Sequence, residues 1–426
     1  MKTIIVNARE GTRVPFLRGI LIRSLLDAGV VFKDAYEIAS SVREDLSNMA
    51  EVDAEEVRAR VVKLLKKQDD TEALELYQMA ALAPARIQVD SLSGNVSAFS
   101  RGRHTRFLQS SGIRVDKAEQ TTNLIYDQLL ASGVSSISTS QLGYLTYQCL
   151  LQDVSRKAAK RYLVWSEFQR SGRPLLVLIC GAVGTGKSTI ATEVAHLLEI
   201  VRIQSTDMLR EVMREMIPKR LLPVLHTSSF QAWTTLPVHD NDSRTRDQLI
   251  AEGYRNQVDL LAVPCEAVIH RAVEESVPLI LEGVHAHPEL LGVLPEESGA
   301  IMVHVTLAVL KSGVLKSRLK GRGIEVPQRR AKRYLNSFDS IWSLQSFLLS
   351  EADRCETPII TNSEKDKAIY QLIQQVNYVL AEHFHGSPAE VFGAFVADLE
   401  SRPGPPTWQE MVTLLRAGKP DEGIRA

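Results

Sequence analysis

Gly181-Ala182-Val183-Gly184-Thr185-Gly186-Lys187-Ser188 is a complete G-x-x-x-x-G-K-S string, and Thr189 follows it. Glycines at these positions let successive backbone N–H groups turn inward around one polyphosphate, and a helix starting near the lysine adds its positive end. Lys187 can then reach the outer phosphates while the Ser188 hydroxyl ligates Mg²⁺. Residues 181–189 are therefore expected to bind ATP together with Mg²⁺.

Further groups have the chemistry to use such a donor. Asp207 follows a strand-like run, Ile200–Gln204, and Arg210 lies three residues on. At a strand's end, Asp207 can accept the proton of an attacking hydroxyl while Arg210 holds an anionic acceptor. An aspartate that only opens a helix would look the same. Glu282 ends the apolar run Val277–Leu281, the form of a Walker B element. Its carboxylate would reach Mg²⁺ directly, through a water, or else contact the acceptor; a capped strand end is the plainer alternative. Between residues 311 and 333, Lys311, Lys316, Arg318, Lys320, Arg322, Arg329, Arg330, Lys332 and Arg333 are opposed by Glu325 alone. Such a run is a solvated face in most proteins. Here it falls where a lid would close on a transferring phosphoryl group, with Gly321, Gly323 and Pro327 supplying the turns. His226-Thr227-Ser228, behind Lys219-Arg220, is either an anion pocket or an ordinary loop.

These groups need a scaffold. Leu175–Cys180 leads into the glycine loop, and Thr189–Ala195 leads out as a helix. Ile301–Leu307 and Pro358–Asn362 read as the fourth and fifth strands, and Asn362 falls where adenine is commonly contacted. Strands alternating with helices predict an α/β, doubly wound parallel five-stranded sheet with a helical lid, its cleft at the strands' C-terminal ends.

The front of the chain repeats. Phe16, Arg18, Gly19, Arg23, Leu25, Gly29, Ala35 and Leu46 recur 83 positions later as Phe99, Arg101, Gly102, Arg106, Leu108, Gly112, Ala118 and Leu129. The frame F-x-R-G-x-x-x-R-x-L-x-x-x-G held across two helical segments indicates duplication. A third helical stretch ends in Leu64-Leu65 and in Leu150-Leu151. In the first copy a β-like run, Thr3–Val6, precedes R-E-G-T-R-V-P-F and a helix over about 17–28 with Ile20, Leu21, Leu25 and Leu26 as its apolar stripe. This resembles the ATP-cone, a small nucleotide-binding module, over roughly residues 1–80. Packing and self-association without nucleotide is the other reading. The second copy has Ser97-Ala98-Phe99 in place of V-P-F and is expected to keep only the helical shell, with residues 86–100 as connector.

Composition narrows the class. The 426 residues are 44% hydrophobic and 24% charged, with a net charge of −1. Near-neutrality gives no general attraction to nucleic acid or to an anionic membrane, and neither is expected as a partner. No stretch reaches the roughly 20 apolar residues of a membrane span. Cys149, Cys180, Cys265 and Cys355 are scattered without a C-x-x-C pair, which points to a reducing, cytoplasmic setting rather than zinc or disulfides.

Taken in order behind GAVGTGKST, the blocks STDMLREVMR, LPVLHTSSFQAW, LILEGVHAHPEL and RYLNSFDSIWSLQSFLLSEAD resemble the 2-phosphoglycerate kinase family over residues 174 to about 385. The resemblance implies ATP-dependent phosphorylation of the 3-hydroxyl of 2-phosphoglycerate to 2,3-bisphosphoglycerate. It makes Asp207 the acceptor-side acid or base and puts Arg318, Arg322 and Arg333 in the lid. With Lys187 from the loop, Asp207, Arg318 and Arg322 are the expected catalytic residues, and Ser188 and Glu282 the expected metal ligands. The acceptor falls to Arg210, His226, Thr227, Ser228, His285 and Arg333. Such an acceptor brings about three negative charges toward ATP, and the local cations suit that load. A kinase for another phosphorylated or polyol acceptor, or a nucleotide-sensing P-loop regulator, remains open.

The expected organisation is an ATP-cone-like module over 1–85, a second repeat copy with linker over 86–170, a P-loop kinase domain over 171–385, and an extension of unassigned role over 386–426. The expected partner is a small anionic substrate, with self-association through the N-terminal modules.

Overall fold

The computed structural model describes residues 3–7, 12–27, 29–47, 49–67, 73–74, 77, 87–91, 94–132, 134–237, 243–289, 298–325, 329–400 and 410; side chains of 7, 12–14, 27, 322–331, 398 and 400 are outside that description. The chain divides into two compact units, Met1–Ile87 and Gln88–Ala426.

In the first unit, β1 (Ile4–Asn7) pairs antiparallel with β2 (Thr12–Pro15) and parallel with β3 (Glu51–Asp53). Helices α1 (Arg18–Asp27), α2 (Phe32–Leu46) and α3 (Ala54–Lys67) complete it. Leu21, Leu25, Ala35, Ile38, Val42, Leu46, Val61 and Leu65 form its core. Of the expected stripe on α1, Leu21 and Leu25 are buried, whereas Ile20 and Leu26 are exposed. One line of i and i+4 positions meets the core, so the stripe is narrower than the apolar residues suggest.

The second copy has the same order. β4 (Gln88–Asp90) pairs antiparallel with β5 (Val96–Ala98) and parallel with β6 (Ser136–Ser138), around α4 (Arg101–Ser110), α5 (Val115–Ala131) and α6 (Thr139–Asp153). Arg18 and Arg101, which open α1 and α4, and Phe32 and Val115, which open α2 and α5, are each 83 apart. From Ala54 to Thr139 the offset is 85, so two residues are added before the third helix. Two expectations are corrected. Residues 86–100 are more than a connector, because β4 and β5 lie there, and the copy keeps its sheet as well as its helices. Three-residue strands are too short to show alternation in sequence.

Helix α7 (Arg156–Ser171) leads to a sheet of β7 (Leu175–Cys180), β8 (Arg202–Ser205), β9 (Leu279–Glu282), β10 (Ile301–Ala308) and β11 (Ile359–Thr361). Its order is β11-β10-β7-β9-β8, and every pairing is parallel. β7 is buried throughout, as a central parallel strand must be. Val177 and Ile179 face a core with Ile190, Val194, Val305 and Val376. Leu176 and Leu178 face Leu281, Cys265 and Ile269 on the other side. The sheet is therefore doubly wound, as expected. Val164, Trp165 and Phe168 of α7 belong to the first of these cores, so the helix before residue 171 is part of the sheet's packing.

The described part of the C-terminal extension packs on the second copy. In the short helix Pro388–Phe392, Phe392 stacks on Tyr162 at 6.2 Å and meets Tyr144 edge-on. Among the described residues, no helix is long and apolar enough to cross a membrane.

Candidate active site

The phosphate loop sits between β7 and helix α8 (Lys187–Leu198), in the middle of the sheet. Gly181, Gly184 and Gly186 have φ of 144°, 86° and 89°, values that residues with a Cβ rarely take. A Cβ at Gly186 would lie 2.5 Å from Asn362 Nδ2. Lys187 Nζ donates to Ala182 O at 2.9 Å, holding the lysine over the cradle. Asn362 Nδ2 donates to Thr185 O at 2.8 Å, and Arg318 Nη1 to the same carbonyl at 3.5 Å. Asn362 thus braces the loop from β11, where sequence suggested an adenine contact.

The parallel register sets Ile179 beside Glu282, so the acid ends its strand next to the loop. Ser188 Oγ donates to Glu282 Oε1 at 2.9 Å. A hydroxyl and a carboxylate meeting under a glycine cradle are the donor set Mg²⁺ prefers, and these two residues fit it.

Asp207 and Arg210 lie on α9 (Thr206–Met216), which starts directly from the end of β8. Ser205 Oγ accepts from Asp207 N, so the capping role belongs to Ser205 and leaves the Asp207 carboxylate exposed. Arg210 Nη2 is 3.6 Å from Asp207 Oδ1 and 3.3 Å from Glu211 Oε1. Its Nη1 donates to Leu225 O and Thr227 O, tying α9 to the 225–227 turn. Arg210 Nε is buried without a hydrogen-bond partner among the described residues.

Behind this turn lies a polar node in which His285, expected to line the acceptor pocket, is instead 1% exposed and bonded internally to Gln257 and Thr206, two residues that sequence reading missed. Gln257, fully buried on α10 (Arg246–Glu274), donates through Nε2 to Val224 O at 2.7 Å and Thr227 O at 3.3 Å. Those two carbonyls orient the amide, so its Oε1 accepts from His285 Nε2 at 2.8 Å. His285 Nδ1 is left as acceptor for Thr206 Oγ1 at 3.4 Å. Burial pushes the His285 pKa down to about 3, so the ring is neutral at pH 7. The signal was available. Gln257 continues the buried line Leu249, Ile250, Gly253, Tyr254 toward Leu261, and a polar residue on such a stripe needs internal partners.

On the lid, α11 (Ser312–Glu325) carries Arg318 to the phosphate loop, and α12 (Arg329–Asn336) carries Arg333, whose Nη2 donates to Ser228 Oγ and to Gln231 Oε1. The structure thus links Arg333 to Ser228, and Thr227 to Arg210 and Asp207, along one continuous stretch of contacts. His226 turns elsewhere, its Nε2 bonding Ile217 O at 2.9 Å, and the Thr227 hydroxyl donates to Val224 O. The Arg322 side chain lies outside the described residues.

A phosphate loop on the central strand of a parallel sheet, a Walker B acid bonded to the loop serine, and arginines closing from a following helix pair define a P-loop phosphotransferase of the kinase type. The 2-phosphoglycerate kinase of Thermococcus kodakarensis is 37% identical over 284 residues, 67% of this chain and 94% of that one. That of Pyrococcus furiosus is 36% identical over 283 residues, 65% of this chain and 89% of that one. The Methanopyrus kandleri protein is 32% identical over 280 residues, 66% and 84%. The chain belongs to the 2-phosphoglycerate kinase family. No protein-family model matches it. Among solved structures, a gluconokinase from Sinorhizobium meliloti 1021 aligns at 14% identity and a TM-score of 0.29, over 50% of this chain and 98% of that one.

Proposed function

We propose that this chain transfers the γ-phosphoryl group of ATP to the 3-hydroxyl of 2-phosphoglycerate, giving 2,3-bisphosphoglycerate and ADP. The observation that carries the reading is the Ser188–Glu282 bond beneath a glycine cradle, facing an acceptor side lined by Asp207, Arg210 and Arg333. The names of the relatives supply the acceptor.

In this reading the 3-hydroxyl oxygen bonds to the γ-phosphorus, the bond to the β–γ bridging oxygen breaks, and the hydroxyl proton passes to Asp207. Lys187 leaves Ala182 O to neutralise the β and γ oxygens, with Arg318 beside it. Ser188 and Glu282 would hold Mg²⁺, which supplies further charge neutralisation when bound. Arg210 and Arg333 take the carboxylate and phosphate of the acceptor, and Arg322 closes with the lid. Neutral His285 contributes no charge; it positions Thr206 and, through Gln257, the 224–227 turn. The reading places the enzyme in the cytoplasm, consistent with four free cysteines, three of them buried. The ATP-cone-like reading of the front module rests on the R-E-G-T-R-V-P-F segment, part of which lies outside the described residues.

Coupled ADP release against a panel of phosphorylated hydroxy acids and polyols tests this. Turnover should be highest with 2-phosphoglycerate and fall at least a hundredfold in Lys187→Ala, the scale of losing a central electrostatic contact, with Asp207→Asn also strongly impaired. Faster turnover on another acceptor would reassign the substrate. ATP binding without turnover on any acceptor would favour a regulator.

A further inference from the structure

A cavity of about 560 Å³ opens between α7 and helix α13 (Lys365–His383), against the edge strand β11. None of its lining residues belongs to the phosphate loop, α9 or the lid. Its volume lies in the usual range for small-molecule sites.

The stripes facing the cavity have the spacing of helix core positions but not their composition. On α7 the lining residues are Lys157, Lys160, Arg161 and Val164; on α13 they include Gln371, Gln374, Gln375 and Tyr378. Positions i, i+3, i+4 and i+7 normally form an apolar seam. Here three cations stand on one wall, and among the described residues none of them has a carboxylate partner. Arg161 Nε and Asn377 Oδ1 are buried without hydrogen-bond partners, and Asn377 is 2% exposed. The remaining wall is apolar and open: Tyr378 is 64% and Ile359 42% exposed.

We propose that this cavity is a second nucleotide site. A phosphate would sit on Lys157, Lys160 and Arg161, a base would lie against Tyr378 and Ile359, and Gln371 and Gln375 would face its polar edge. Cations alone would suit any anion; the exposed aromatic and aliphatic wall argues for one with a flat apolar body. The cavity also borders groups that reach the far end of the phosphate-loop helix and the strand before Asn362. Arg161 Nη1 bonds Gln374 Oε1, Gln374 Nε2 bonds Gly112 O, and Asn377 Nδ2 bonds Ser110 O. Ser110 Oγ in turn donates to Leu197 O at the end of the phosphate-loop helix. Ile360 lies two residues before Asn362, which braces Thr185.

Equilibrium dialysis of radiolabelled AMP against the full chain carrying Lys187→Ala tests the site with the phosphate loop weakened. Binding should persist, fall at least tenfold when Lys157→Ala and Lys160→Ala are added, and fall at least fivefold with Tyr378→Ala. All three side chains are exposed, so the fold is kept, and an unchanged melting temperature checks that. Absence of AMP binding, or binding untouched by both sets of changes, overturns the proposal. So does displacement by inorganic pyrophosphate together with indifference to Tyr378→Ala, which would mark a bare anion site.

Discussion

The two front copies share a plan and differ in what fills it. Leu25 and Leu108, Ala35 and Ala118, Val42 and Ile125, and Leu46 and Leu129 occupy matching positions, and all eight are fully or almost fully buried. At three other matched positions the first copy has Leu21, Ala39 and Val61, all buried, while the second has His104, Thr122 and Thr146. There His104 Nδ1 bonds Thr122 Oγ1 at 2.9 Å and Nε2 bonds Thr146 Oγ1 at 3.0 Å. Thr146 donates to Leu142 O, so it accepts from His104 Nε2–H. A closed polar triad replaces an apolar one with the fold intact, because each buried polar atom finds a partner.

Each copy can also be followed outward from its core. The first builds a core from its own residues. The second is joined to the kinase sheet through Ser110, Gly112 and Phe107, whose ring meets Trp165 and Tyr162 edge-on. Duplication therefore preserved the frame, and the second copy carries outer side chains that join it to the kinase sheet.

The largest effect should come from removing each copy in turn. Deleting residues 1–87 should leave a unit that melts cooperatively and keeps turnover within a few-fold. Deleting 1–154 should abolish cooperative melting, since it strips cover from Trp165 and the phosphate-loop helix. Equal tolerance of both deletions, read by circular dichroism, would break the comparison.

Next is the triad itself. His104→Leu alone should cost about 1–3 kcal/mol by leaving two buried threonine hydroxyls short of a partner. Adding Thr122→Ala and Thr146→Val should recover much of it by recreating the first copy's packing. A triple variant less stable than the single one in urea melts would show that the copies' cores are not interchangeable.

Acid sensitivity follows from the same residues. Burial pushes the pKa of His104 to about 4, of His285 to about 3 and of His304 to about 4. Their unfolded values are higher, near 6.5, so below that pH the unfolded chain binds protons the native one refuses. Stability should thus be full above pH 6.5 and fall toward pH 4, by about 1.4 kcal/mol per pH unit for each histidine. The triple variant should lose roughly a third of that slope between pH 6 and 5. An unchanged slope would mean that His104 does not titrate as its burial requires.

The smallest effect is expected at the seam. Ser110→Ala removes one bond to Leu197 O and should cost about 1 kcal/mol. A rise in KM for ATP beyond that loss would show that the seam tunes the phosphate loop as well as holding it.

Chemistry in this chain was legible where local backbone creates it. The loop 181–188, the strand ending in Glu282 and the 83-residue frame are short-range patterns, and each appears in the structure where its residues predicted. The strands at 88–90, 96–98 and 136–138 were not legible, because three residues carry no periodicity. Nor was the joining of His285 to Gln257 and Thr206, which lie 28 and 79 residues from it.

The sequence alone determined which residues can cradle phosphate, because glycine's backbone freedom and a lysine at the helix start act within one turn of chain. Only the tertiary structure decided that Asn362 braces the loop, that His226 faces Ile217, and that one repeat copy is joined to the kinase sheet. Those outcomes depend on strand register and on which surfaces meet. Contacts between residues far apart along the chain are settled by packing the whole core, a condition that no local pattern encodes.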